Sequence, residues 1–198
     1  MKRRDLLALA PLVLTPGIAN AMMTETENQE RVISDFRSGE PLSDVPGKWS
    51  GYSDRVMGGV SDAKFEPDVI DGLGCIRLRG RVTRDSGGGF IQMARYMGEG
   101  RSGFDASAYK GLEVMVYGND EDYNIHIRTG DVRWYEQSYR ATFKAKPAWQ
   151  IIRLDWSDFV PNEIDAPIRT GALQRIGLLG WMREFQADLA LARMAFYA

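Results

Sequence analysis

Histidine and cysteine occur once each in this sequence, as His126 and Cys75. That scarcity narrows the chemistry at once. A two-histidine metal site and an all-cysteine zinc site are excluded, no intramolecular disulfide can form, and a Ser-His-Asp arrangement could be built only around His126. No Gly-x-Ser-x-Gly elbow is present. His126 alternates with Ile125 and Ile127, which places it at an outward-facing strand position with no nucleophile beside it in sequence. The expectation is a non-catalytic histidine and no catalytic residue. The acidic run Gly118-Asn119-Asp120-Glu121-Asp122-Tyr123-Asn124 offers oxygen ligands for a hard cation. An EF-hand loop, however, requires glycine where Ile125 stands. A solvated acidic turn is expected, with no metal and no cofactor.

Three other segments have residue types suited to binding. The first, Trp49 to Ser61, contains Ser53-Asp54-Arg55-Val56-Met57-Gly58-Gly59-Val60-Ser61. Its glycines allow close backbone approach, and its Ser and Asp can bond local amides. No Gly-Lys-Ser/Thr follows, so it is not a phosphate cradle; spacing alone reads as a structural turn joining two edge strands. The second, Asp85-Ser86-Gly87-Gly88-Gly89-Phe90, reads as a hairpin turn feeding a strand, without the spacing of a dinucleotide fingerprint. The third groups Arg128, Arg133, Trp134, Tyr135, Tyr139 and Arg140. Such residues concentrate at interfaces, and aromatic rings stack on sugar faces. Filling the interior is an equally good reading of Trp134 and Tyr139.

The elements that must position these residues are short strands. Apolar residues alternate with polar ones over Cys75–Val82, Leu112–Tyr117, Asn124–Arg128 and Ser138–Phe143. Trp149–Leu154, Arg175–Leu179 and Leu189–Tyr197 continue the series. No segment of twelve residues has an apolar stripe of helical period; only short turns near Ser157–Phe159 and Thr170–Leu173 look helical. This pattern predicts an all-β, mostly antiparallel sandwich or barrel. The 198 residues, 44% hydrophobic and 26% charged with a net charge of −2, suit one globular domain and argue against an electrostatic nucleic-acid binder.

The first 21 residues read as an address. Lys2, Arg3 and Arg4 precede an apolar run from Leu6 to Leu14, and Ala19-Asn20-Ala21 has small residues at the cleavage positions. This is the order of a cleavable signal peptide, with an uncleaved anchor as the alternative. Arg3-Arg4 followed by Leu6-Leu7 resembles a twin-arginine signal, and ordinary secretion fits equally well. Cleavage would leave 177 residues with 22 basic and 26 acidic side chains. A periplasmic or otherwise exported protein is expected, with no stable membrane span after cleavage. Residues 22–34 read as a flexible lead-in and 35–198 as a single domain. In an oxidising compartment Cys75 should be sheltered by packing.

The core of the first segment, Ser53 to Ser61, resembles the signature of the complex I intermediate-associated protein 30 family. The similarity continues through Gly87-Gly88-Gly89-Phe90-Ile91-Gln92 and Tyr109-Lys110-Gly111-Leu112-Glu113-Val114. It extends over Trp149–Leu154 with Asp158-Phe159, then Arg175–Leu179 and the last strand to Tyr197. The resemblance implies a galactose-binding-like jelly-roll sandwich and an assembly-factor or chaperone role, with no established catalytic residues to carry over. One departure is the acidic turn at Gly118–Tyr123, where the family often has a short Gly-Asp-Gly-Arg hairpin. Another is the export signal, since the peripheral arm of complex I assembles on the other side of the membrane.

The leading expectation is therefore a non-enzymatic exported binding module that assists folding or assembly of a respiratory or envelope protein complex. Its candidate binding residues are Trp49, Asp54, Arg55, Met57, Gly58, Gly59 and Ser61 with Gly88, Gly89 and Phe90, either as contact surface or as the scaffold shaping it. The alternative is a glycan or small-ligand binder using Arg128, Trp134 and Tyr135, with Trp149 as a further candidate ring. It requires exposed aromatics on a concave face.

Overall fold

The computed structural model describes residues 30–39, 41–98 and 103–198. The signal-peptide reading lies outside them. Twelve antiparallel strands form two six-stranded sheets. The first sheet runs β3(Lys64–Ile70), β4(Leu73–Val82), β12(Phe185–Tyr197), β6(Gly111–Tyr117), β9(Gln150–Asp155). β1(Arg31–Asp35) pairs with β12 beyond the end of β4. The second sheet runs β10(Val160–Asn162), β8(Ser138–Ala145), β7(Glu121–Thr129), β11(Leu173–Trp181), β5(Phe90–Tyr96), β2(Trp49–Ser53). The expected all-β jelly-roll sandwich is the observed fold.

Period-two alternation explains why these strands face as they do. Ile125 and Ile127 of β7, Tyr139 and Ala141 of β8, and Ile176 and Leu178 of β11 point into the interior. They meet Leu78 of β4, Val114 and Val116 of β6 and Leu189 and Leu191 of β12, all fully or almost fully buried. Residues between them in sequence face outward, so the outer surface of the second sheet is set by the same alternation. The short helical turns fall at Trp156–Asp158 and Thr170–Ala172, close to the expected positions.

Three expectations need correction. The lead-in ends earlier than residue 34, because β1 starts at Arg31 and Ile33 is fully buried against the core. The Asp85–Phe90 segment is not a hairpin turn; it carries the chain from β4 in the first sheet to β5 in the second. Sequence alternation locates strands but not the sheet each one joins. The last strand begins at Phe185 rather than Leu189, and its 13 residues let it pair with three neighbours.

Cys75 sits in a satellite cluster on the outer face of the first sheet, with Ala190 and Ala192 beneath Ile70, Met115, Tyr117 and Trp149. Burial pushes its thiol pKa up to about 11, so the reactive thiolate is scarce at neutral pH. Reaction with a thiol reagent at pH 8 is expected to be at least tenfold slower in the native protein than in urea. Equal rates would show that the cluster does not shelter it.

Candidate functional site

The loop between β2 and β3 is organised around Asp54, whose residue is only 1% exposed. Its Oδ1 accepts from the Ser61 amide at 2.9 Å. Its Oδ2 accepts from the Ser61 hydroxyl at 2.6 Å and from the amides of Gly89 at 2.6 Å and Phe90 at 3.2 Å. Burial would raise the carboxyl pKa, but these donors outweigh it and hold it below the ordinary carboxylate range. Gly59 and Gly88 must be glycine for a steric reason: a Cβ at either would lie 2.4 or 2.3 Å from the Asp54 carboxylate. Arg55 tightens the same loop from outside, donating from Nε to the Ser61 carbonyl at 3.0 Å and pairing with Asp62 at 2.6 Å. Gly58 closes the short helical turn Asp54–Met57.

The Ser53–Ser61 motif is thus a lock. It joins two edge strands, as its spacing suggested, and also fastens that loop to the turn entering β5. Ser53, Asp54 and Ser61 of the motif are internal, while Arg55 lies on the surface and Val56 and Met57 are left exposed at the tip.

Beside this tip an open groove of about 1170 Å³ lies across the outer face of the second sheet. Its floor comes from the outward positions of five strands: Tyr52 of β2, Phe90 and Gln92 of β5, Arg175 and Trp181 of β11, His126 and Arg128 of β7, and Ser138 and Arg140 of β8. One lip carries Val56, Met57 and Met182; the other carries Trp134 and Tyr135, both 67% exposed. Gln92 ties the floor together, its Oε1 accepting from the Tyr52 hydroxyl at 2.5 Å and from Arg175 at 2.7 Å.

Arginines and aromatic rings alternate along this floor. The Arg175 guanidinium lies over Tyr52 and Tyr96, at 5.1 and 5.5 Å from their ring centres. Phe90 bridges Tyr52 and Trp181. Arg140 lies over the Trp181 ring at 4.8 Å, and His126 meets that ring edge-on at 5.0 Å. Burial pushes the Arg175 pKa down to about 10 and lowers those of Arg128 and Arg140. All three remain charged at neutral pH.

His126 projects away from the core, as expected, yet it is buried there rather than exposed, because Trp181 and Arg140 cover it. Burial first, and then the charge of Arg140, push its pKa down to about 3, so it is neutral at physiological pH. Its Nε2 has no hydrogen-bond partner.

The candidate residues of the sequence divide cleanly. Asp54, Met57, Gly88, Gly89, Phe90, Arg128, Trp134 and Tyr135 all border the groove. Gly58, Gly59 and Ser61 act through the Asp54 lock, and Arg55 faces away from the groove. Trp49 lies outside it, half-buried against the core with its indole N–H donating to Ser34. Trp149 belongs to the opposite sheet, donating to the Ile70 carbonyl. Tyr139 is fully buried in the interior. The acidic turn forms ion pairs from Asp120 to Lys144 and from Glu121 to Arg183. Among the described residues no three His, Cys, Asp or Glu side chains cluster as a metal site. Among the described residues no nucleophile is hydrogen-bonded to His126.

Gln92, Arg175 and Trp181 were not singled out from the sequence. Their signal was present in strand alternation, which puts them opposite core residues. What was missing was the strand order that brings β5, β7 and β11 side by side.

The chain is thus an antiparallel jelly-roll sandwich with an open groove across one sheet, edged by exposed aromatic rings. Residues 34–187 match the family model described as Complex I intermediate-associated protein 30, and the chain belongs to that family. No curated protein sequence matches it. Among solved structures it is similar to a family 11 carbohydrate-binding module from Clostridium thermocellum in complex with a β-1,3-1,4-mixed-linked tetrasaccharide. That TM-score is 0.65 at 11% identity, covering 84% of this chain and 94% of the module. The family 11 module of the cellulosomal cellulase Lic26A-Cel5E of the same organism gives 0.65 at 12% identity, covering 86% and 96%. A family 30 carbohydrate-binding module gives 0.56 at 15% identity, covering 85% and 87%. At such identities the likeness concerns the fold.

Two predictions follow from this geometry. Asp54→Ala leaves buried amides of Ser61 and Gly89 without an acceptor and should cost about 2–4 kcal/mol of unfolding free energy. Urea denaturation checks it, and a loss below 0.5 kcal/mol, by the same reasoning, would mean the lock is dispensable. For His126 the folded pKa lies below the unfolded value, so the unfolded state binds the extra proton. Its contribution is intact above about pH 6.5 and is lost as pH falls towards 3, with a limiting slope of about 1.4 kcal/mol per pH unit. Stability measured from pH 7 to 4.5 should fall less steeply in His126→Gln than in the parent; parallel curves would contradict a buried neutral imidazole.

Proposed function

We propose that this member of the family is a non-catalytic binding module whose ligand lies in the groove of the second sheet, and that the ligand is an oligosaccharide. The observation that carries the reading is the pairing of exposed Trp134 and Tyr135 rings with a floor of planar polar groups. Rings at the lip give flat apolar faces for stacking on sugars, and Gln92 with the three arginines offers directional hydrogen bonds to hydroxyls. The fold's likeness to carbohydrate-binding modules supports the architecture of such a site.

A second reading has its own support. Family membership and the export signal read from the sequence favour a role in assembling a respiratory or envelope protein complex in the periplasm. Val56, Met57 and Met182, exposed together on one lip, would be the contact for that partner.

Affinity electrophoresis of the chain through gels containing neutral and acidic polysaccharides tests the first reading. Retardation by at least one of them, reduced at least tenfold in affinity in Trp134→Ala/Tyr135→Ala, is the expected result. That loss corresponds to about 1.4 kcal/mol. No retardation by any, together with a defined envelope protein captured by the parent but not by Val56→Asp/Met57→Asp, would replace it with the second.

A further inference from the structure

We infer that the groove is built for an anionic ligand, and specifically for an oligosaccharide bearing carboxylates, held by Arg128, Arg140 and Arg175. This rests on the oligosaccharide reading above and narrows it to acidic sugars. The argument begins with a contrast inside the molecule. On the first sheet the half-buried arginines are neutralised: Arg77 pairs with Asp68 and Asp188, and Arg193 pairs with Glu30, Asp35 and Glu113. In the groove the three arginines are likewise half-buried, yet none forms an ion pair among the described residues.

The placement of the three compounds the cost. Arg175 and Arg128 stand directly opposite each other on the neighbouring strands β11 and β7. Like charges at opposed positions of a sheet repel. Arg140 on β8 stands opposite His126, and its charge helps to keep that ring unprotonated. Carboxylates at the edge offset part of this from a distance, Glu136 acting on Arg128 and Glu163 on Arg140, while Arg175 is shifted by burial alone. Glu136 and Glu163 line the groove without reaching salt-bridge distance of any of the three, and the Asp54 carboxylate is saturated by protein donors.

The protein's own hydrogen bonds leave donor capacity over. Arg128 gives one N–H to the Trp134 carbonyl at 2.8 Å. Arg140 gives two, to the Ser138 hydroxyl and the Glu136 carbonyl. Arg175 gives one to Gln92, while its buried Nε has no partner. Each guanidinium has five N–H donors in a rigid fork that matches a carboxylate. These contacts and the stacking on Tyr52, Tyr96 and Trp181 hold the forks in place before any ligand arrives, which reduces the ordering cost of binding. A carboxylate on a sugar ring would meet the guanidinium array while the ring faces stack on the lip aromatics.

Isothermal titration of the full chain with oligogalacturonate and with a neutral mixed-linkage β-glucan oligosaccharide of equal length tests this. The expected result is binding of the uronate at least tenfold tighter than of the neutral chain, weakening as salt is raised. Arg175→Gln and Arg128→Gln should each weaken the uronate by roughly 10–100-fold and the neutral sugar by clearly less, because the neutral chain loses a hydrogen bond to a hydroxyl but no charge pair. Thermal denaturation of both variants confirms folding, and a shift of the Trp181 indole resonance on adding uronate gives a readout independent of affinity. Equal affinity for both sugars, unaffected by either substitution, would overturn the anionic site while leaving the oligosaccharide reading intact. Binding of neither sugar alongside binding of a glutamate-rich peptide would overturn both.

Discussion

A carboxylate removed from water must be surrounded by donors, and around Asp54 that requirement joins parts of the chain more than thirty residues apart. Its partners come from its own loop at Ser61 and from the turn entering β5 at Gly89 and Phe90. The loop links the edge strands of the two sheets, and the turn is where the chain crosses between sheets. One side chain therefore fixes the end of the sandwich at which the groove is formed. The two glycines against the carboxylate follow from the same constraint, since nothing larger leaves it room. The most recognisable motif of the sequence is thus mainly scaffold, and what it offers a partner is the Val56–Met57 tip.

The two outer faces of the sandwich solve the same problem in opposite ways. On the first sheet, arginines are paired with carboxylates and the remaining surface is capped by Trp149, Tyr117, Met115 and Ile70. On the second, Arg140 and Arg175 are stacked against rings, and neither they nor Arg128 form an ion pair among the described residues. Stacking keeps a guanidinium ordered at little cost, but it does not neutralise the charge. That difference leaves one outer face neutralised and capped and the other positively charged and open.

His126 shows what burial beside a cation does to a titratable ring. The ring lies in the groove with a free nitrogen, which by position alone would invite a catalytic role. Its surroundings hold it neutral, no nucleophile among the described residues is hydrogen-bonded to it, and Arg140 disfavours the protonated form that an acid-base cycle would pass through.

Alternation of side chains along Cys75–Val82, Asn124–Arg128 and Arg175–Leu179 was enough to establish strands, their inward residues and an all-β fold, because period two is a local property of extended backbone. The shelter of Cys75 was legible from thiol chemistry, and the structural character of the Trp49–Ser61 turn from its glycines and short polar side chains, rather than from alternation. Strand order was not. Gln92, Arg175 and Trp181 become neighbours of His126 only when β11 inserts between β5 and β7, a long-range pairing that no local pattern encodes. Likewise Trp134 and Trp149 look equivalent in sequence, yet one edges the groove and the other caps the opposite sheet. Residue types and their facing were determined by the sequence itself; which of them share one surface, and with what net charge, was decided by the packing of distant strands.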